Sequence, residues 1–164
     1  MPAQSYTATI TVPVPAADAF AAIQDFRRWW SADIEGETNV VGETFFYHYK
    51  DIHLCKLKLI KAVLPTQLVY EVIENKFNFI EDQSEWVGTH LVFLLEERGE
   101  ETTIQFTHEG LVPAYECYDV CQEAWSNYIQ HSLRQLITTG TGEPNPHGEE
   151  GFNAELAEKW QINT

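Results

Sequence analysis

The chain has 164 residues, of which 44% are hydrophobic and 13% aromatic, so we expect one folded domain with a sizeable core. Its 10 basic and 25 acidic residues give a net charge of -15, which argues against binding to nucleic acid or to an anionic membrane. No stretch is apolar enough to span a bilayer, no signal-peptide pattern opens the chain, and three cysteines fit no disulfide scaffold. These features predict a cytoplasmic protein with no membrane insertion.

Alternating apolar and polar residues predict a series of strands, with two short helices near the N-terminus. Tyr6–Val12 is typical of a strand, and Pro15 favours a helix from Ala16 to about Phe26. Trp29 and Trp30 close this segment, and if they are helical neighbours they face different sides, so we expect only one of them to be in the core. Further strands are predicted at Phe45–Tyr49, His53–Ala62, Leu68–Ile73, Val87–Leu95 and Thr102–His108.

The last two predicted strands form a hairpin around Arg98-Gly99. If Leu91 and Phe93 share a face with Phe106 and Ile104, the numbers of paired residues sum to 197. This register places Thr89 opposite His108 on the inner face of the sheet.

A long amphipathic helix is predicted from Pro113 to about Thr139. One face is apolar and the opposite face is charged, so the helix must bury its apolar stripe against the sheet. We therefore predict an α+β fold in which an antiparallel sheet of six or seven strands curves around this helix. The domain is assigned to residues 1–140, and the tail 141–164 is either disordered or docked through Phe152, Leu156 and Trp160. The apolar face comprises Cys117, Tyr118, Cys121, Trp125, Tyr128, Ile129 and Leu136.

Several residue strings are distinctive in their order along the chain. They are Phe26–Trp30, Gly42–Tyr47, Pro65–Tyr70, Thr102–Gly110, Leu111–Cys121, and Trp125 with Leu133, Leu136 and Gly140. Together with the order of elements, they resemble the SRPBCC or START-like superfamily, whose fold is called helix-grip. The likeness covers residues 5 to about 145, and the last helix resembles the branch related to the activator of the heat-shock chaperone ATPase. Leu111–Cys121 is similar to an uncharacterised bacterial subgroup of that branch.

The resemblance implies a cavity between sheet and helix, but no single activity, because one fold hosts many functions. We expect ligand contacts from inward-facing residues, most of them aromatic. Core packing accounts better for any one of them, but as a group the inward tyrosine hydroxyls need partners that a ligand or water would supply. The candidate ligand-binding residues are Trp30, Phe45, Tyr47, Tyr49, Tyr70, Thr89, Phe93, Phe106, His108, Cys121, Trp125 and Tyr128.

Histidine and cysteine side chains are the candidates for acid/base chemistry and for metal binding in this chain. His108 is either a ligand partner or general acid/base, or a core histidine with satisfied hydrogen bonds, and we favour the second. Zinc binding by His53, Cys55, Cys117 and Cys121 would need a spacing that this chain lacks. We therefore predict no metal and no cofactor, and leave the catalytic residues unassigned.

Three functions remain open. The first is binding of a small, largely hydrophobic molecule between sheet and helix, which requires an interior that the protein's own side chains do not fill. The second is an interaction module for a chaperone partner, with homodimerisation as a further option. The third is a cyclase, hydrolase or dehydratase acting on an aromatic or polyketide-like substrate.

Overall fold

The computed structural model describes residues 5–49, 53–77, 86–112, 118–145 and 152–159. Its seven strands form one antiparallel sheet in the order β1-β7-β6-β5-β4-β3-β2. This architecture, a curved sheet packed against one long helix, confirms the predicted helix-grip fold. The strands are β1 Tyr6–Val12, β2 Ile34–Gly36, β3 Thr44–Tyr49, β4 His53–Val63, β5 Gln67–Phe77, β6 His90–Arg98 and β7 Glu101–Glu109.

Two short helices lie between β1 and β2 in the chain, and a long helix follows β7. The long helix has three consecutive segments: α3, a π-helical segment and α4. Residues 113–117, where the sequence predicts the start of this helix, lie outside the described residues. The helices are α1 Ala16–Gln24, α2 Phe26–Trp29, α3 Tyr118–Ser126, the π-helical segment Asn127–Leu133, α4 Arg134–Thr139 and α5 Phe152–Lys159. No helix among the described residues combines the length and the apolarity that crossing a membrane requires.

Side-chain alternation explains how the sheet acquires one buried face. In β1 every second residue is buried and the others are exposed, and β7 buries Thr102, Ile104, Phe106 and His108 in the same way. The long helix covers this inner face through Trp125, Ile129 and other buried side chains. The core therefore lies between the sheet and the long helix, where the candidate site was predicted.

The predicted hairpin register is wrong by two residues. Leu91 pairs with His108 and Phe93 with Phe106, so the numbers of paired residues sum to 199. Arg98 pairs with Glu101, which makes Gly99 the first of two turn residues, with a φ of 63° that suits glycine. A slip of two residues preserves the faces, so Thr89 and His108 still meet.

Both Trp29 and Trp30 are buried, which corrects the expectation that only one of them would be. Helix α2 is a single turn, and Trp30 follows it as the C-terminal cap. Trp29 donates its indole N–H to the carbonyl oxygen of Ile23 at 3.0 Å. Trp30 instead stacks on Tyr47, with a ring-centroid distance of 4.4 Å. A short, quickly ending helix thus lets two neighbouring tryptophans enter the core in different directions.

The segment after the long helix contributes to the core. The side chain of Asn145 is 3% exposed, and its backbone bonds to Trp30 and Ala32. Helix α5 packs on α3, where Leu156 is buried and Lys159 forms an ion pair with Glu123. The domain boundary at residue 140 stays a prediction, and Trp160 lies outside the described residues.

Candidate functional site

All twelve candidate ligand-binding residues are buried, each 7% exposed or less. Their contacts define two ends of the sheet–helix interior and a polar junction, and Phe106 joins the two ends, with ring-centroid distances of 5.0 Å to Phe93 and 4.7 Å to Trp125. Whether any of them contacts a ligand stays a prediction.

One end of the interior is filled by the protein itself. The ring of Phe26 lies between Phe45, Tyr70 and Phe93, with centroid distances of 5.0, 4.9 and 6.5 Å. The Tyr70 hydroxyl donates to the carbonyl oxygen of Thr38 at 2.8 Å, so it needs no ligand partner. We call this group, defined by Phe26, Phe45, Tyr70 and Phe93, the closed end.

A polar junction lies next to the closed end, where the π-helical segment faces β3. Asn145 donates its side-chain N–H groups to the Tyr128 oxygen at 2.8 Å and to the Trp30 carbonyl oxygen at 3.0 Å. Burial raises the pKa of Tyr128, while hydrogen bonds from Asn145, Tyr47 and Trp30 act in the opposite direction. The junction explains how several inward hydroxyls are satisfied without a ligand. Asn145 was not among the predicted site residues, because a polar residue between two prolines gives no periodic signal.

His108 stands at the other end and is held by a directional chain of hydrogen bonds. Trp125 donates its indole N–H to Nδ1 of His108 at 3.0 Å, so Nδ1 carries no proton. The proton of the neutral ring is therefore on Nε2, which lies 2.7 Å from the Thr89 hydroxyl oxygen. Thr89 in turn donates to the carbonyl oxygen of Trp86 at 2.6 Å. Both ring nitrogens of His108 are occupied, as the favoured interpretation of a satisfied core histidine requires.

Around His108 lies a group of rings that we call the aromatic–histidine cluster, defined by His53, Phe77, Trp86, His108 and Trp125. The centroid of the Trp86 ring lies 4.8 Å from that of His53 and 4.7 Å from that of His108. His53 also contacts Phe77 at 4.2 Å, and Trp86 stacks on Trp125 at 5.8 Å. Unlike the closed end, the cluster includes a side chain, His53, that is partly exposed.

Two nitrogen atoms in the cluster have unused hydrogen-bonding capacity. Nε1 of Trp86 is buried and has no acceptor among the described residues. His53 bonds through Nε2 to the side-chain oxygen of Asn75 at 2.8 Å, so Nε2 carries the proton and Nδ1 is left as an acceptor. Burial lowers the pKa of His53 to about 4, which keeps this ring neutral at pH 7. Burial, with smaller contributions from His53 and His90, lowers the pKa of His108 to about 3.

Phe77 and Trp86 were not among the predicted site residues. The strand predicted at Leu68–Ile73 ends before Phe77, whereas β5 extends to Phe77, and a β-bulge explains the difference. Val72 pairs with Leu57, but Glu74 pairs with Lys56, so one extra residue of β5 shifts the alternation. Phe77 then faces the same side as Val72 although the two are an odd number of residues apart. Trp86 directly precedes the predicted strand at Val87, and only this position in the sequence could have indicated that it belongs to the site.

The two cysteines that the structure describes, Cys55 and Cys121, are buried and form no disulfide. Burial raises the pKa of Cys55, which disfavours its reactive thiolate form. Cys117 lies outside the described residues. Within the described ranges, no three His, Cys, Asp or Glu side chains are grouped as metal ligands.

Two surface cavities flank α1 and lie apart from the cluster. The larger, of about 390 Å³, is lined mainly by polar residues that include Gln24, Asp25 and Glu37. The smaller, of about 310 Å³, lies between α1 and α4. Neither has a lining residue in common with the aromatic–histidine cluster.

Residues 14–138 match the family described as Activator of Hsp90 ATPase homolog 1-like protein. The chain belongs to this family. The match spans more than half of the chain, from the start of α1 to the end of the long helix, and it confirms the resemblance found in the sequence. No curated protein matches the chain.

Solved structures share the fold at low sequence identity. The Aha1 dimer from Colwellia psychrerythraea has a TM-score of 0.68 and 22% identity, and the match covers 85% of this chain and 99% of that one. MLL2253 from Mesorhizobium loti has a TM-score of 0.63 and 14% identity, and the match covers 80% of this chain and 96% of that one. DynU16, a protein of the dynemicin biosynthetic locus, has a TM-score of 0.63 and 14% identity, with coverage of 86% and 49%. At these identities the likeness shows the fold alone.

Proposed function

We propose that this protein binds a small, largely apolar ligand at the aromatic–histidine cluster, between the sheet and the long helix. The observation that carries the proposal is that the cluster is aromatic and also reaches the surface at His53. Aromatic rings provide large apolar contact areas, and apolar pockets with a few polar groups are the usual form of small-molecule sites.

The contrast between the two ends supports this placement. Each ring of the closed end is 1% exposed or less, so a ligand there would have to displace fully buried rings, whereas the cluster begins at His53, which is only partly buried. We therefore assign Phe45, Tyr70 and Phe93 to core packing, and retain Thr89, His108, Cys121 and Trp125 as residues beside the ligand. Because the pKa values of His53 and His108 are lowered, both rings are neutral at pH 7 and suit an uncharged ligand.

A substitution at the exposed edge of the cluster tests the proposal. His53→Trp enlarges the ring there and is expected to weaken binding of N-phenyl-1-naphthylamine, an uncharged fluorescent probe, by about tenfold or more. The matched control is Phe46→Trp, which introduces the same ring on the opposite face of the sheet, at a partly exposed position. Fluorescence titration gives both affinities, and circular dichroism checks the fold. Equal affinities of the two variants would contradict the proposal.

Family membership favours a second candidate, an interaction module that acts on the ATPase of a chaperone partner. We infer that such an interaction, or a homodimer like the one named for the Colwellia psychrerythraea protein, would use an outer surface and not the cluster. Chaperone ATPase assays with the wild type and His53→Trp distinguish the two functions, because an interaction module predicts equal stimulation by both. Analytical ultracentrifugation measures the oligomeric state.

A further inference from the structure

We infer that the aromatic–histidine cluster selects a ligand that carries a neutral hydroxyl group, either a phenol or an alcohol, whose oxygen accepts from the indole N–H of Trp86 beside the ring of His53. The inference rests on the proposed ligand binding and adds the chemical class of the ligand's polar group.

The indole N–H of Trp86 can only donate, is buried, and has no acceptor among the described residues. A buried donor without an acceptor costs free energy, and such groups are rare in folded proteins. An oxygen atom of a ligand would satisfy this N–H.

The ring centroid of His53 lies 4.8 Å from that of Trp86. The side-chain oxygen of Asn75 accepts the proton on Nε2, which leaves Nδ1 with a lone pair. Among the hydrogen bonds of the described residues none is to Nδ1, and Nδ1 is not among the buried atoms that lack a partner, so it is open to a donor from outside the protein. A ligand that satisfies both residues must therefore accept from Trp86 and donate to His53.

The groups that a ligand could present differ in hydrogen-bonding capacity. A hydroxyl both accepts and donates, whereas an ether or ketone only accepts, and an ammonium group only donates. A carboxylate accepts from Trp86, but its charge would be buried beside the lone pair of a neutral imidazole in a chain with a net charge of -15. The hydroxyl is the smallest neutral group that meets both requirements.

Four naphthalene derivatives of similar size test the inference by equilibrium dialysis at pH 7. We expect 2-naphthol to bind about tenfold more tightly than 2-methoxynaphthalene, naphthalene or 2-naphthoate, because it alone makes both hydrogen bonds without a charge. Trp86→Phe and His53→Phe retain a ring but lose one hydrogen-bonding atom each. Each is expected to reduce the preference for 2-naphthol over naphthalene to threefold or less, on the order of one lost hydrogen bond.

A spectroscopic measurement keeps the inference testable if a variant does not fold. The indole N–H resonance of Trp86 in the wild type should shift on addition of 2-naphthol and not on addition of naphthalene to the same occupancy. The indole of Trp29 is the internal control, because its N–H already bonds to the Ile23 carbonyl oxygen. Equal affinities for 2-naphthol and naphthalene would overturn the hydroxyl inference but leave ligand binding intact. Failure of all four compounds to bind would overturn both.

Discussion

At the scale of single residues, the neutral state of His108 follows from the direction of its hydrogen bonds. The Trp125 indole can only donate, so the ring must accept at Nδ1 and donate at Nε2. The Thr89 hydroxyl, which accepts from Nε2, donates in turn to the backbone carbonyl oxygen of Trp86. Each member satisfies the next, and removal of one member leaves buried polar atoms without partners.

Thr89→Val tests this chain, because valine has nearly the same shape but no hydroxyl. The substitution leaves the Nε2–H of His108 and the carbonyl group of Trp86 without their partner, so the free energy of unfolding should fall by about 1–3 kcal/mol. Urea denaturation measures the loss. Thr103→Val removes a hydroxyl from an exposed cross-strand pair and should cost less than about 0.5 kcal/mol. Equal losses for the two variants would show that the chain does not stabilise the fold.

The lowered pKa values of His53 and His108 predict loss of stability in mild acid. Their folded-state pKa values are about 4 and about 3, below the value of about 6.5 in the unfolded chain. Below pH 6.5 the unfolded chain binds more protons, so the free energy of unfolding falls as the pH decreases toward 4. Between pH 6 and pH 5 the two groups together should lower it by about 2 kcal/mol.

The variant His108→Gln isolates one of these contributions. The substitution lowers the free energy of unfolding at every pH. The further decrease in the free energy of unfolding between pH 6 and pH 5, however, should be about 1 kcal/mol smaller for the variant than for the wild type. Urea denaturation at the two pH values gives both losses. The other histidines are common to both proteins and cancel in the comparison. If the two proteins lost equal amounts, His108 would not be the buried neutral group described here.

At the scale of elements, the segment that follows the long helix acts as part of the core. Gly140 ends the helix with a φ of 88°, and the chain then returns to Trp30. Asn145 joins Trp30 and Tyr128, which belong to elements about 100 residues apart in the chain. The segment therefore holds the polar junction in place between Trp30 and Tyr128.

Asn145→Ala should lower the free energy of unfolding by about 1–2 kcal/mol, because it removes two buried hydrogen bonds, one to Tyr128 and one of the two that the Trp30 carbonyl oxygen accepts. Asn39→Ala, at an exposed position, is the matched control and should change it by less than about 0.5 kcal/mol. Thermal or chemical denaturation gives both values. A loss for Asn145→Ala no larger than that of the control would show that the segment only rests on the surface.

At the scale of the whole molecule, the interior between sheet and helix is filled at one end and reaches the surface at the other. Phe26→Ala should therefore open a cavity at the closed end and cost about 3–5 kcal/mol. Phe46→Ala, which removes the same ring from a partly exposed position outside the sheet, should cost less than half as much. Calorimetric or chemical unfolding measures both. A small loss for Phe26→Ala would show that the closed end is not tightly packed.

The fold could be predicted from the sequence, because alternation in β1 and helical periodicity around Trp125 follow directly from which faces are buried. The site could be predicted only in part. The bulge in β5 reverses the alternation before Phe77, and the single turn of α2 sends both Trp29 and Trp30 inward. Such local departures from regular geometry depend on tertiary packing, which no periodic pattern records.

The most direct test of the account is the position of a bound probe. Intermolecular nuclear Overhauser effects between 2-naphthol and the aromatic protons of the protein report which rings lie beside it. The account predicts contacts to Phe77, Trp86 and the ring of His53. Contacts to Phe26, Tyr70 and Phe93 instead, or to none of these rings, would contradict it.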